Sequence, residues 1–522
     1  MFTGNIKRSF FTVSLAGVAF FLPLSEWLLS AFIVILVVSW LANGGVKNMP
    51  MLRHEKKIIL LFLLTFLVYM VWMINTSDLS SGLSQLRLKL PLLVFPLVTG
   101  LSMPLDRKEQ RVIITVFISG VVISSIAGVL SGLGQLSSGN SDPKVLSPFI
   151  SHIRLALMSV FAITCASWYF LYHRTGRWHD WVFPLAAVWL SVFLFLLLSL
   201  TGMLLFFLTI AISSGILAFR SGNKYLRLTS GFLLVFIIIV PASVITYSVK
   251  SFYKEGSAYN FPLMSKTTGG KPYFHDPQKR DIENGNLVWI YLCEEELSRE
   301  WNRHSSMDFG GKDKKGQDLK YTLIRYMTSA GLTKDSSGFS SMTVNDLNSV
   351  ENGLTNKKFA VWSPWRKKLY EVIWQLDYYN SRGNPSGHSI TQRLVYLSTG
   401  FKIFLRHPLF GTGTGDLPLE YHKQYENERS VLDKSHRLLS HNQFLSFLIS
   451  FGITGTVIII WSLFFPFFSQ KGYKRYITAM FFILIFSSML WEDTLETHSG
   501  VSFFAYFYSV FIFGTENYEN QS

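Results

Sequence analysis

What most limits the fold of this chain is a series of apolar runs of about 15–23 residues. Each is long enough, as a helix, to cross a hydrocarbon layer roughly 30 Å thick. About twelve are present, at residues 10–24, 27–43, 58–75, 90–103, 112–134, 152–172, 181–198, 202–219, 229–248, 441–468, 476–490 and 499–514. The fourth and eleventh are short, and the first pair is divided only by the stretch around Pro23 and Glu26. Charge is dense between the ninth and tenth runs. Val249 to Ser440 carry 27 Lys/Arg and 21 Asp/Glu in 192 residues, whereas the other 330 residues carry 33 charges. The first density is that of a soluble domain, about one residue in four, and the second is far below it. The reading is an all-α polytopic membrane protein with one large aqueous insert. It divides into residues 1–248 (nine spans), 249–440 (the insert) and 441–522 (three spans). Disorder, collagen and a disulfide-rich scaffold are excluded. Cys165, in an apolar run, and Cys293, in the insert, are not placed to pair and supply no metal framework.

The net charge of +15 suggests nucleic acid until its placement is read. Cytoplasmic loops of membrane proteins are enriched in Lys and Arg. With the N-terminus inside, the inner short loops hold Lys7, Arg8, Lys47, Arg53, Lys56, Lys57, Arg107, Lys108 and Arg111. They continue with Arg174, Arg177, Arg220, Lys224, Arg227, Lys471, Lys474 and Arg475, making 17 in all. The outer short loops hold three: Arg87, Lys89 and Lys144. This asymmetry predicts that both termini are cytoplasmic and the insert is external. It also accounts for the positive charge without nucleic acid. No cleavable leader is expected, because the first apolar run leads directly into the second.

The insert reads as folded and mainly helical, since Trp289, Trp301, Trp362, Trp365 and Trp374 lie among ordinary charge. Gly310 to Gly316 predicts a surface loop, and Asp346 to Lys358 an irregular stretch. Arg366 to Tyr379 predicts a helix. So does Gln392 to Arg406, with apolar residues at helical spacing and His407-Pro408 as its stop.

The segment richest in chemistry runs from Arg393 to Gly455. A helix carrying Arg393 ends at HPLFGTGTGD, and SHNQFL then opens the tenth span. His441 and Asn442 fall at the membrane–water boundary. There an imidazole can accept a proton from a hydroxyl, or simply cap or snorkel at a helix start. Arg393 is either a phosphate ligand or a solvated helix residue. Gly411 to Gly415 lacks the Lys-Ser/Thr and the strand–turn–helix setting of a phosphate-binding loop. It predicts a tight turn that positions Arg393 relative to His441. Arg154, in FISHIRLALM, is the only Lys or Arg within a predicted span. A charge there is costly and is functional by default, unless it is paired with the acidic turn WEDTLETH. That turn supplies Glu492, Asp493, Glu496 and His498. Its carboxylates could hold a divalent cation or pair with Arg154, Arg393 or Arg437. His436 and Arg437 precede His441 and could touch a donor or lipid head groups, and His152 could share the site of Arg154.

HNQFL followed by Gly452-x-x-Gly455, and preceded by Arg393 and HPLFGTGTGD, resembles the O-antigen ligase and O-antigen polymerase superfamily. VWIYLCEEEL, TLIRYMTSAGLTKD and WEDTLETHSGVSFFAYF also look like members of that family. The resemblance implies an integral-membrane, GT-C-like glycosyltransferase of the bacterial inner membrane, with twelve spans and a large periplasmic loop between the ninth and tenth. It implies a donor glycan on undecaprenyl pyrophosphate and, for a ligase, a lipid A–core acceptor. No metal or other cofactor is implied. His441 would act on the acceptor hydroxyl, and Arg393 would hold the pyrophosphate. The family usually has Ser-Arg in the outer turn between spans seven and eight, where this chain has Thr201-Gly202. Arg154 is the candidate for that missing cation. A polymerase or a protein O-oligosaccharyltransferase would use the same donor. A transporter or flippase would show repeated halves and helices broken at midplane, and no repeat is visible.

Overall fold

Each of the twelve apolar runs lies on a helix. The structure is a computed structural model that describes residues 2–45, 53–136, 143–174, 176–220, 222–254 and 263–515. Of the basic residues counted above, Lys47 lies outside the described residues, as do the side chains of Arg53, Lys56, Lys144 and Arg220. Of the described residues, 72% are helical. Among the described residues, the one sheet pairs Ile282–Glu283 with Asn286–Leu287. Among the described residues, seven helical segments are long and apolar enough to cross a membrane: Lys57–Asn75, Arg107–Leu133, His152–Tyr172, Trp178–Leu196, Leu200–Phe219, Lys224–Tyr253 and Gln443–Ser469. Glu26–Ala42 and Tyr476–Met489 are shorter apolar helices. The short fourth run is not a long helix. Pro91–Gly100 instead continues Leu79–Lys89 through Leu90, whose backbone stays helical.

Two of the apolar helices have opposite fates. The His498–Ile512 helix is buried at every position from Ser499 to Ile512. Phe503, Phe507 and Phe511 pack there with Phe117, Phe161 and Phe481. The Lys224–Lys254 helix, by contrast, leaves Phe232, Val235, Phe236, Ile239 and Ile245 exposed. A helix that is apolar on all sides yet uncovered by protein is stable only with lipid around it.

Contacts sort the helix ends into two sides. On one, Arg8 pairs with Glu109, Arg111 with Asp180, and the Arg475 guanidinium meets Thr515. The other side carries the insert, where Trp365 Nε1 donates to the Phe195 carbonyl at 3.1 Å. The insert has its own core, centred on Leu297, Trp301, Leu323 and Met327. A second cluster of Phe252, Phe359, Tyr370 and Ile373 fastens it to the end of the Lys224–Lys254 helix. Helices occupy Pro364–Arg382 and Ser389–Arg406, as expected. The expected irregular stretch at Asp346–Lys358 is a helix over its first part, Val344–Glu351. Thr343 and Asp346 close a capping box there, which outweighs the weak apolar pattern. Both cysteines are free and buried.

The glycine-rich turn repairs a broken membrane helix. Within Gln443–Ser469, Gly452 has φ 61° and ψ −170°, a conformation open essentially to glycine alone. The break orphans backbone groups, and the turn satisfies them. Thr412 N–H and Gly413 N–H donate to the Ile449 and Ser450 carbonyls, both at 2.9 Å. Ile453 N–H and Thr454 N–H donate to the Pro408 and Leu409 carbonyls at 2.8 and 3.2 Å. Asp416 accepts from Ser77 N–H, Ser77 Oγ and Asp78 N–H at 2.8–2.9 Å, tying the same turn to the end of the third span. A Cβ on Gly452 would sit 2.3 Å from the Leu409 backbone. Gly452→Ala should therefore cost about 3 kcal/mol or more. A thermal-unfolding midpoint in detergent equal to that of the wild type would refute this account of the turn.

Candidate active site

Five segments converge on the insert side around the turn Trp491–Thr497, which joins the last two apolar helices. The turn brings three carboxylates together, and each is engaged differently. Glu492 Oε1 accepts from Arg393 Nη2 at 2.7 Å and from Thr201 Oγ1 at 3.4 Å. Asp493 Oδ1 accepts from Ser446 Oγ at 3.1 Å. Glu496 pairs with Lys89 Nζ at 2.9 Å and accepts from Gln443 Nε2 at 2.8 Å. No group of three or more His, Cys, Asp or Glu among the described residues is arranged to hold a metal ion.

His441 sits over this turn. Its Nδ1 is 3.9 Å from both Glu492 Oε2 and Asp493 Oδ2, and its side chain is 32% exposed. The backbone at His441 is left-handed, with φ 51°. That is uncommon for a residue other than glycine, and here it falls at the start of the tenth span. Asn442 follows as the helix cap, accepting from Leu445 N–H at 2.9 Å. Its amide also donates to the Leu490 carbonyl at 3.0 Å, fixing the cap to the acidic turn. Burial pushes the His441 imidazole below its usual pKa. Glu492 opposes that shift, and Arg393 and Arg154 add to it. The ring is therefore mainly neutral near pH 7 and able to take a proton. Burial, with the neighbouring Glu496 and Glu492 charges, raises Asp493 to about 6.

Arg393 projects from the Ser389–Arg406 helix, donating from Nη1 to the Trp491 carbonyl at 3.0 Å as well as to Glu492. It remains partly exposed. Arg154 lies one turn into the His152–Tyr172 helix and is 5% exposed. Its Nη2 donates to the Asp493 carbonyl at 2.6 Å and its Nε to Thr497 Oγ1 at 3.1 Å. Nη1 is buried with no hydrogen-bond partner among the described residues. Arg154 is thus held by neutral oxygens of the acidic turn, with one nitrogen left over. Burying a charged donor without a partner is costly, so an anion would be favoured there.

His441, Arg393, Arg154 and the three carboxylates therefore lie in one cluster, with Asn442 capping the helix beside it. His436 and Arg437 do not join the carboxylates. Arg437 pairs with Glu426, and His436 lies 3.8 Å from Asp433. His436 touches the site only through its carbonyl, which accepts from Tyr396 Oη at 2.5 Å. The Tyr396 ring in turn lies 5.9 Å from that of His441. The sequence reading missed Lys89, which is 0% exposed. It was counted as a charge of an outer loop, yet it is a second buried cation. It also missed Gln443, whose Oε1 accepts from Leu495 N–H at 2.7 Å. A third polar residue directly after His441-Asn442, at the mouth of an apolar run, was the available signal for Gln443. Thr201 does not lie in the expected outer turn but in the first turn of the Leu200–Arg220 helix, where it reaches Glu492 and supplies no cation.

Comparison with known families bears on one stretch. Residues 340–460 match the family model described as O-Antigen ligase. That match spans Arg393, the glycine-rich turn, His441 and the Gly452 break, and it ends before the acidic turn. No curated protein matches the chain.

Proposed function

We propose that this multi-pass membrane protein, whose residues 340–460 match the O-antigen ligase family model, transfers a glycan from undecaprenyl pyrophosphate to a hydroxyl of lipid A–core oligosaccharide. The observation that carries the reading is a half-buried imidazole set among two arginines and a carboxylate turn. In this reading the chain crosses the bacterial inner membrane twelve times in a GT-C-like arrangement. Both termini are cytoplasmic and the insert is periplasmic, so the site opens where no nucleotide is available. The donor is already activated by its pyrophosphate, and the chemistry requires neither nucleotide nor metal.

The acceptor hydroxyl approaches Nε2 of His441, because Nδ1 faces Glu492 and Asp493. As the hydroxyl oxygen bonds to the anomeric carbon, its proton passes to the imidazole and the carbon–oxygen bond to pyrophosphate breaks. The attack is in line, so the anomeric centre inverts. The two carboxylates stabilise the imidazolium as it forms. Arg393 and the spare nitrogen of Arg154 take the charge that develops on the departing pyrophosphate.

The pH profile follows from the base. His441 acts only when neutral, and its pKa lies below the usual 6.5. Transfer should rise with pH through the region below about 6.5 and be flat between pH 7 and 8. Asp493, at about 6, gains its charge in the same window and steepens the rise. A rate that falls between pH 6 and 7 would contradict a neutral base. The reaction itself is tested by the lipids of a deletion strain. Loss of capped lipid A–core with long carrier-linked chains accumulating is expected. Accumulation of single repeat units on the carrier would instead indicate a polymerase.

A further inference from the structure

The insert holds a cavity of about 490 Å³ away from the acidic turn, walled by Trp289, Trp374, Tyr321, Tyr378, Arg325 and Arg382. The family match does not assign it, since most of its lining precedes residue 340. We propose that this cavity is a glycan-binding subsite, which takes a sugar of the chain being transferred or of its acceptor. The proposal rests on the glycosyl-transfer reading above.

The rings are fixed platforms. Trp374 and Tyr378 stack at 5.0 Å with their planes 21° apart, and Trp289 meets Tyr321 edge-on at 6.1 Å. Tyr321 is 47% exposed, so a ligand can reach it from solvent. Pyranose rings present flat patches of C–H that pack on such faces, and their hydroxyls need donors and acceptors at the rim. The rim supplies both in held geometry. Arg382 grips Asp281 with Nε and Nη2 at 3.0 and 2.5 Å. Arg325 pairs with Glu283 while lying 4.0 Å over Trp374. The ion pairs hold the donors in place before a ligand arrives, which lowers the ordering cost of binding. A lipid tail would leave these charged groups facing hydrocarbon, at high cost.

Position strengthens the assignment. His388 also lines the cavity and is the cap residue of the helix that carries Arg393. At 1.5 Å per residue, the two positions are about 7.5 Å apart along the helix axis. A glycan seated on the rings would therefore run along this helix toward Arg393 and His441, whose ring lies 5.9 Å from that of Tyr396.

The test is calorimetric titration of the purified full-length chain in lipid nanodiscs. The probe is the oligosaccharide released from the host strain's lipopolysaccharide by mild acid. The wild type should bind. Trp374→Ala and Tyr321→Ala should each weaken binding about tenfold, and Trp374→Phe, which keeps a ring, by no more than about threefold. If Trp374→Ala does not fold, the half-exposed Tyr321 position decides. No binding by the wild type, or equal binding by the alanine variants, overturns the subsite. Ring-dependent binding without any transfer from a lipid-linked donor would keep the subsite and overturn the transferase reading. Transfer with ring-independent binding would do the reverse.

Discussion

His441→Ala is expected to lower glycan transfer by about 10²- to 10⁴-fold, the usual cost of losing a general base, with folding and membrane insertion intact. The side chain is 32% exposed and lies 3.9 Å from either carboxylate, so its removal breaks no short contact of the fold. Its neighbour Asn442 gives the opposite pattern. It caps the tenth span and ties it to Leu490, so its loss should act on stability first. Complementation of a deletion strain with His441→Ala, at matched membrane abundance, checks the first expectation. Near-normal capping of lipid A–core would remove His441 from the mechanism.

Arg154→Lys is expected to lower transfer about 10²-fold, the scale of losing one charge-stabilising donor. A guanidinium can hold the Asp493 carbonyl and Thr497 with two of its nitrogens and still present the third. An ammonium has one nitrogen and no fork, so it cannot span both oxygens and an incoming phosphate. The loss should fall mainly on kcat/KM for the lipid-linked donor. Arg154→Ala should lose transfer as fully and also lose thermal stability, since two bonds to the acidic turn vanish with it. A lysine variant with wild-type transfer and unchanged donor dependence would show that only charge matters there. Arg393 would then be the one assigned phosphate ligand.

The parts of this molecule legible in its sequence are those with a physical period or a forced cost. Apolar runs repeat at membrane length, and every one became a helix. Arg154 stood out because a lone charge in an apolar run needs a reason, and the acidic turn proved to be part of that reason. His441 and Arg393 were found through the residues around them rather than through any pattern of their own. Lys89 was illegible because a lysine at the end of an outer helix reads as a solvated charge. Its burial depends on Glu496, more than four hundred residues away. The break at Gly452 was hidden for a related reason. Gly-x-x-Gly in an apolar helix reads as close packing, and only the arrival of the 408–414 segment makes a broken helix tolerable. The glycine-rich turn was expected to position Arg393 relative to His441. In the structure it bonds the end of one helix across the gap in the other.

The central claim is that one site, built from His441, Arg393 and Arg154, moves a glycan from a lipid pyrophosphate to a hydroxyl. Liposomes containing only the purified chain, undecaprenyl-pyrophosphate-linked glycan and lipid A–core test it most directly, with a chelator present throughout. Capped lipid A–core with an inverted anomeric linkage, released undecaprenyl pyrophosphate, and neither product with His441→Ala are the results expected. No capped product from the wild type, or equal product from His441→Ala, would contradict the claim.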